Sequence, residues 1–265
     1  MQVYLSRWVC LDVKSNLRRL REECSDAAAS GASLIVFPEA FLHGYTRTVE
    51  PADARALFGR ISREHAHAAF VFGSFSERRR NRLTVWRGGD EVAHYDKVHL
   101  FEPNDEAVLW RPGSRYSAVV IGEWTLGLLT CNDVRFPEQA RALRLQARCD
   151  ALVVVAWWPW RREHVWRTLL RARAIENGVW VIGCCVAASQ HPGEIFAGAG
   201  NHVFDPHGEP IATGDDRSYV LERGRAETLL ADPAAGYRDI NTVKVFGHRP
   251  RRPTHPARTR RRAES

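Results

Sequence analysis

Short, unbroken apolar runs limit what this chain can fold into more than any other feature of its sequence. Leu34-Ile35-Val36-Phe37, closed by Pro38, has no polar residue to turn toward water on either face, which is the pattern of a strand buried on both sides. Trp124–Thr130, Ala151–Ala156 and Val179–Cys185 also read as strands. Helical patterns lie between them. Leu17, Leu20, Cys24 and Ala27/Ala28 recur at helical spacing, with Ser15 read as the N-cap and Gly31 as the terminating residue. Pro137–Arg148 reads as a helix with proline in its first turn, and Arg162–Asn177 as one closed by Gly178. Phe70–Phe75 and Leu83–Trp86 flank a polar Glu77–Arg82 turn, which predicts an antiparallel hairpin with solvated arginines. His202–Phe204 followed by Asp205-Pro206-His207-Gly208 predicts a second hairpin. Buried strands alternating with amphipathic helices make this a mixed α/β sandwich with its helices outside.

No linker interrupts the pattern and no repeat is visible, so residues 1–248 read as one domain and residues 249–265 as a separate basic tail. The net charge of +7 is concentrated there: the last 17 residues hold seven arginines against one glutamate, leaving +1 for the other 248. Three prolines and no apolar residue larger than alanine give that tail nothing to bury, and it is expected to be disordered. A nearly neutral body argues against nucleic acid as a partner. No run of about 18 apolar residues is present to cross a bilayer, and no basic-then-apolar leader opens the chain, so a cytoplasmic protein without a membrane partner is expected. The six cysteines are irregularly spaced, which predicts reduced thiols, with Cys184 and Cys185 pointing to opposite faces of one strand. His65 and His67 have no evident third ligand, and no metal site is expected.

Three reactive side chains stand at or near strand ends, where ligand sites form in α/β sheets. Glu39 follows the Leu34–Phe37 run directly. Lys97 lies between a polar turn and the Val98/Leu100 alternation. Cys131 ends the apolar strand LGLLT before Phe136-Pro137-Glu138 opens a helix, a strand–turn–helix elbow that exposes a nucleophile. Free backbone N–H groups at such an elbow can bind a developing oxyanion and are expected to lower the thiol pKa.

Taken together and in order, VFPEAFLHGY, YDKVHLF and LLTCNDVRFPE resemble the three signature segments of the nitrilase superfamily of carbon–nitrogen hydrolases. Asn16, Arg111-Pro112-Gly113, RARAIENG and the Asp205-Pro206 turn with Gly208 match further landmarks of that family. The resemblance extends to about Arg223. It implies a single-domain, four-layer αββα sandwich that dimerises or forms a higher homo-oligomer through helices near the site. It also implies a cofactor-free enzyme whose partner is a small-molecule amide. Cys131 would attack the carbonyl carbon and form a thioester. Glu39 would shuttle the protons, a role that asks for a carboxyl in a dry pocket. Lys97 and the backbone N–H of Asn132 would stabilise the oxyanion.

A second glutamate often follows the lysine in relatives; Glu106 is the candidate here, with Glu102 and Asp105 as rivals. Glu176 reads as structural, paired with Arg173 at i, i+3. Arg135 can pair a substrate carboxylate or a neighbouring acid, and the Trp157-Trp158-Pro159-Trp160 run can wall the pocket or pack at a subunit contact. Asn132-Asp133 departs from the Trp-Glu pair usual in true nitrilases and weighs against nitrile hydrolysis, and Asn201 stands where serine is common. DEAVLWRPG and WRTLLRARAIENG most resemble the ω-amidase branch, which hydrolyses small dicarboxylic acid monoamides. A carbamoyl-amine hydrolase with the same triad and a catalytically silent binding module of the same fold are the alternative readings.

Overall fold

A computed structural model describes residues 1–45, 49–191 and 194–224; the basic tail, residues 249–265, lies outside the described residues. The chain begins with β1 (Gln2–Leu5), β2 (Val9–Cys10), α1 (Val13–Ala29), β3 (Leu34–Val36) and α2 (Pro51–Glu64). An antiparallel meander follows, β4 (Ala69–Glu77), β5 (Arg80–Arg87) and β6 (Asp90–Asp96), then the single turn α3 (Glu106–Leu109). The second half holds β7 (Ser117–Ile121), β8 (Trp124–Thr130), α4 (Pro137–Ala147), β9 (Ala151–Ala156), α5 (Glu163–Asn177) and β10 (Trp180–Cys185). It closes with β11 (Ala188–His191), β12 (Glu194–Ala197), β13 (His202–Phe204) and β14 (Ser218–Val220).

Two large sheets result, ordered β14-β1-β3-β4-β5-β6 and β13-β10-β9-β8-β7, beside a small β12-β11-β2 sheet. Residue alternation explains how they stack. Leu34 and Val36 of β3 share one buried core with Val153 and Val155 of β9 and Ile182 of β10, so this core lies between the sheets. The intervening Ile35 and Phe37 face the other way, into a core with Leu20 and Cys24 of α1 and Phe58 of α2. Leu152 and Val154 likewise look outward, sharing a core with Leu143 of α4 and Leu170 of α5. Helix, sheet, sheet, helix is therefore the order of layers. Cys184 and Cys185 do point to opposite faces, one into each core. All six cysteines are free and buried.

Within each large sheet the central strands are parallel: β1, β3 and β4 in one, β8, β9 and β10 in the other. Glu39, Cys131 and Trp157 all follow the carboxyl ends of such strands, which brings residues from both sheets to one end of the sandwich. No helix of the described residues is long and apolar enough to cross a membrane.

Local details differ from the sequence reading for physical reasons. The N-cap of α1 is Asp12 rather than Ser15: its carboxylate accepts the Ser15 N–H at 3.0 Å, so the helix starts earlier than the apolar spacing suggests. The β4–β5 turn is tighter than expected, with only Arg78 and Arg79 at its tip, both at positive φ. Nor are all its arginines solvated. Arg82 donates to both oxygens of Asp96 at 2.7 and 3.0 Å and to Glu77 at 2.8 Å. Helix α2 and the edge strand β14 had no clear sequence signal.

One glycine couples this scaffold to the site. At the irregularity between Phe72 and Ser74 of β4, a Cβ on Gly73 would lie 1.8 Å from the Pro38 carbonyl oxygen, immediately before Glu39. Ser74 next to it accepts the Ala40 N–H at 3.1 Å. We expect Gly73→Ala to destabilise the protein by about 1–3 kcal/mol or more, since backbone must move to make room; urea unfolding of variant and wild type measures it.

Candidate active site

Lys97, just past β6, is fully buried, and its ammonium lies 2.9 Å from a carboxylate oxygen of Glu39 and 2.9 Å from one of Glu106. Both acids are buried as well. Two carboxylates facing one ammonium leave a negative excess in a dry space, which is tolerable only if the remaining lone pairs are satisfied. They are. Glu39 also accepts from Asn81 Nδ2 and the Trp157 N–H, each at 2.9 Å. Glu106 accepts from the Phe101 N–H at 2.9 Å and the Tyr45 hydroxyl at 3.1 Å. Burial alone would lower the Lys97 pKa, but the Glu39 and Glu106 carboxylates outweigh it and hold the ammonium above its ordinary range. Burial raises the Glu106 pKa, against the pull of Lys97.

Cys131 comes to this cluster from the other sheet. It begins a 3-10 turn, Cys131–Arg135, and sits at φ 51°, a left-handed conformation that costs a non-glycine residue about 1–3 kcal/mol. Neighbouring bonds hold it there. Asp133 accepts the Thr130 N–H and the Tyr95 hydroxyl at 2.8 Å, and the backbone and ring N–H of His99 at 3.0 and 2.8 Å. From α5, Arg173 donates to the Val134 carbonyl at 2.9 Å while pairing Glu176 at 2.7 Å, so the i, i+3 pair also braces the elbow.

The thiol lies buried beside Glu39 and Lys97 and donates to the Trp157 carbonyl at 4.0 Å. Its pKa does not fall as the elbow suggested. Burial and the adjacent Glu39 carboxylate, offset only in part by Lys97, push it well above the ordinary range. The resting group is a thiol with a carboxylate beside it.

Of the other predicted residues, Asn132 uses its side chain to donate to the carbonyls of His99 and Leu100 at 3.3 and 3.2 Å, leaving the backbone N–H in the first turn as its contribution. Trp157 supplies its N–H to Glu39 and its ring to the cavity wall. Glu102 and Asp105, the rivals of Glu106, are exposed. A cavity of about 480 Å³ opens beside Cys131 and Glu106, walled by Tyr45, Phe101, Trp157, Trp158 and Trp160 together with Arg135. Tyr45 and Asn81 were not singled out from sequence, and Arg173 was read only as the partner of Glu176, not as a brace for the Val134 carbonyl. Each acts through a partner dozens of residues away, which no local pattern records.

The sequence profile of the carbon–nitrogen hydrolase family matches residues 2–221. The omega-amidase YafV of Escherichia coli K12 is 33% identical over 231 residues, covering 84% of this chain and 87% of that protein. The 2-oxoglutaramate amidase of Bacillus subtilis is 30% identical over 215 residues, covering 77% and 80%. Among solved structures, a mutant of the nitrilase-superfamily amidase of Nesterenkonia sp. AN1 is 26% identical with a TM-score of 0.72, covering 86% of this chain and 91% of that one. In it the acetamide moiety of fluoroacetamide is covalently added at the active-site cysteine.

A raised thiol pKa has a direct consequence. Iodoacetamide should alkylate Cys131, which lines the cavity, before the other five cysteines, and the rate should keep climbing past pH 9 without a plateau near neutrality; peptide mapping against pH checks both points.

Proposed function

Since the chain belongs to the carbon–nitrogen hydrolase family, we propose that it is an amidase cleaving a small linear amide through a thioester on Cys131 to give ammonia and a carboxylic acid. The arrangement that carries this reading is the Lys97 ammonium held at 2.9 Å from Glu39 and Glu106, with the buried Cys131 thiol beside Glu39. The named amidases among its relatives support it.

Glu39 takes the thiol proton as sulfur attacks the carbonyl carbon, so thiolate is formed only when an electrophile is there to receive it. Negative charge then develops on the carbonyl oxygen. Lys97 and the Asn132 N–H face that charge at the buried end of the cavity, where a fixed cation and dipole stabilise it most. Glu39 passes its proton to the nitrogen, the C–N bond breaks, and ammonia leaves. Water follows, gives a proton to Glu39 and attacks the thioester; collapse of the second tetrahedral species returns the thiol. Glu106 pairs with Lys97 and accepts from the Tyr45 hydroxyl, and so positions the ammonium. No step calls on a metal or organic cofactor.

Ammonia release from a panel of primary amides, carbamoyl amines and nitriles tests the proposal. Wild type should prefer the amides, and Cys131→Ala should lose at least about 10³-fold in turnover. Release unchanged in that variant rules out the thiol mechanism, and preference for a carbamoyl compound makes the enzyme a carbamoylase.

A further inference from the structure

A buried histidine stands on the loop that carries Glu39. His43 is fully buried, two residues before Tyr45. Its Nε2 accepts the Ser76 N–H of β4 at 3.1 Å, and its Nδ1 lies 2.5 Å from the Gly44 carbonyl oxygen. One partner can only donate and the other can only accept, so together they select a single form of the ring, neutral, with the proton on Nδ1 and Nε2 bare. Burial acts in the same sense, pushing the pKa down to about 4 against the pull of the Gly44 carbonyl.

The first half of this loop is held by other anchors. The Ala40 N–H donates to Ser74 at 3.1 Å, the Trp8 indole N–H to the Phe41 carbonyl at 2.7 Å, and Asn16 Nδ2 to the Leu42 carbonyl at 3.0 Å. Beyond Leu42 the imidazole takes over and ties the loop to β4. Ser76 serves a second partner as well, since its hydroxyl oxygen accepts the Trp110 indole N–H at 2.7 Å. The Trp110 ring meets Tyr45 edge-on, with centres 5.5 Å apart. One serine thus couples the histidine that leads the backbone into Tyr45 to the ring on which Tyr45 packs. The Tyr45 hydroxyl ends on Glu106 Oε1 at 3.1 Å, the same oxygen that holds the Lys97 ammonium at 2.9 Å.

We propose that His43 is a positioning residue for the reaction at Cys131: through Ser76 its imidazole sets the place of Tyr45, and through Tyr45 and Glu106 the place of the Lys97 ammonium. This rests on the amidase reading of the same site. The negative charge that Lys97 stabilises develops only as sulfur adds to the carbonyl. An ammonium out of place therefore slows turnover and leaves substrate binding nearly alone.

Two variants isolate the bond to β4. In His43→Asn the amide reaches only the Nδ1 position and the Ser76 N–H loses its acceptor, whereas in His43→Gln an oxygen reaches the Nε2 position and restores it. For the primary amide that wild type turns over fastest, His43→Asn should lower kcat at least about 10-fold with KM changed less than about 3-fold, and His43→Gln should keep kcat within about 3-fold of wild type. An unchanged kcat in His43→Asn, a loss that falls on KM, or a loss that His43→Gln shares in full overturns the proposal. Nitrogen-15 spectra of wild type labelled in histidine should show the His43 ring protonated at Nδ1 and bare at Nε2; a proton on Nε2 overturns the proposal without any variant. Fluorine spectra of protein carrying 3-fluorotyrosine separate this inference from the amidase reading. If wild type hydrolyses no amide, the amidase reading falls, and a Tyr45 signal that moves in His43→Asn and returns in His43→Gln still upholds the positioning role. A Tyr45 signal that stays in place in His43→Asn, or is not restored in His43→Gln, sinks it.

Discussion

The buried ammonium of Lys97, shared between the carboxylates of Glu39 and Glu106, is the interaction on which the rest of this structure depends. Stranding either charge without its partner in a dry interior costs about 3–5 kcal/mol. The fold must therefore deliver three loops to one point: the segment after β3, the one after β6, and the start of α3. Asn81, Trp157, Phe101 and Tyr45 complete the hydrogen bonding, and they come from four further places in the chain. The cluster is thus a tertiary construction, and its integrity reports that both sheets are correctly stacked.

Cys131 enters from the second sheet, and this explains why two sheets are needed. Glu39 follows a parallel strand of one, Cys131 and Trp157 follow parallel strands of the other, and the sandwich aligns those strand ends. Each of the first two sites includes a residue at positive φ, Ala40 beside Glu39 and Cys131 itself. Both strained turns are tied down by hydrogen bonds, from Ser74 for the first, and through Asp133 within the turn and Arg173 of α5 for the second. The resulting electrostatics keep the thiol protonated at rest.

Much of this was legible in the sequence because the relevant signals are local. Continuous apolar runs such as Leu34–Val36 and Ala151–Ala156 can only be strands covered on both faces, and their ends mark where Glu39 and Trp157 stand. Glu39, Lys97, Cys131 and Glu106 converge as the motif order implied. What escaped is non-local. Asn81 matters because of Glu39, 42 residues away, and β14 exists because β1 offers it an edge from the other end of the chain. The thiol pKa was misjudged for a related reason: the elbow is visible in sequence, whereas the carboxylate beside it and the burial around it are products of packing. Arg162 looked like the first residue of a helix until its guanidinium was seen against Trp158 and Phe101.

The central claim is that amides react through a common acyl group on Cys131. Partitioning with hydroxylamine tests it most directly. A primary amide and the N-methyl amide of the same acid, hydrolysed in the presence of hydroxylamine, should give hydroxamate and free acid in the same ratio, because both pass through one thioester before the nucleophile is chosen. A ratio that depends on the leaving amine, or turnover that yields no hydroxamate at any hydroxylamine concentration, would contradict the account.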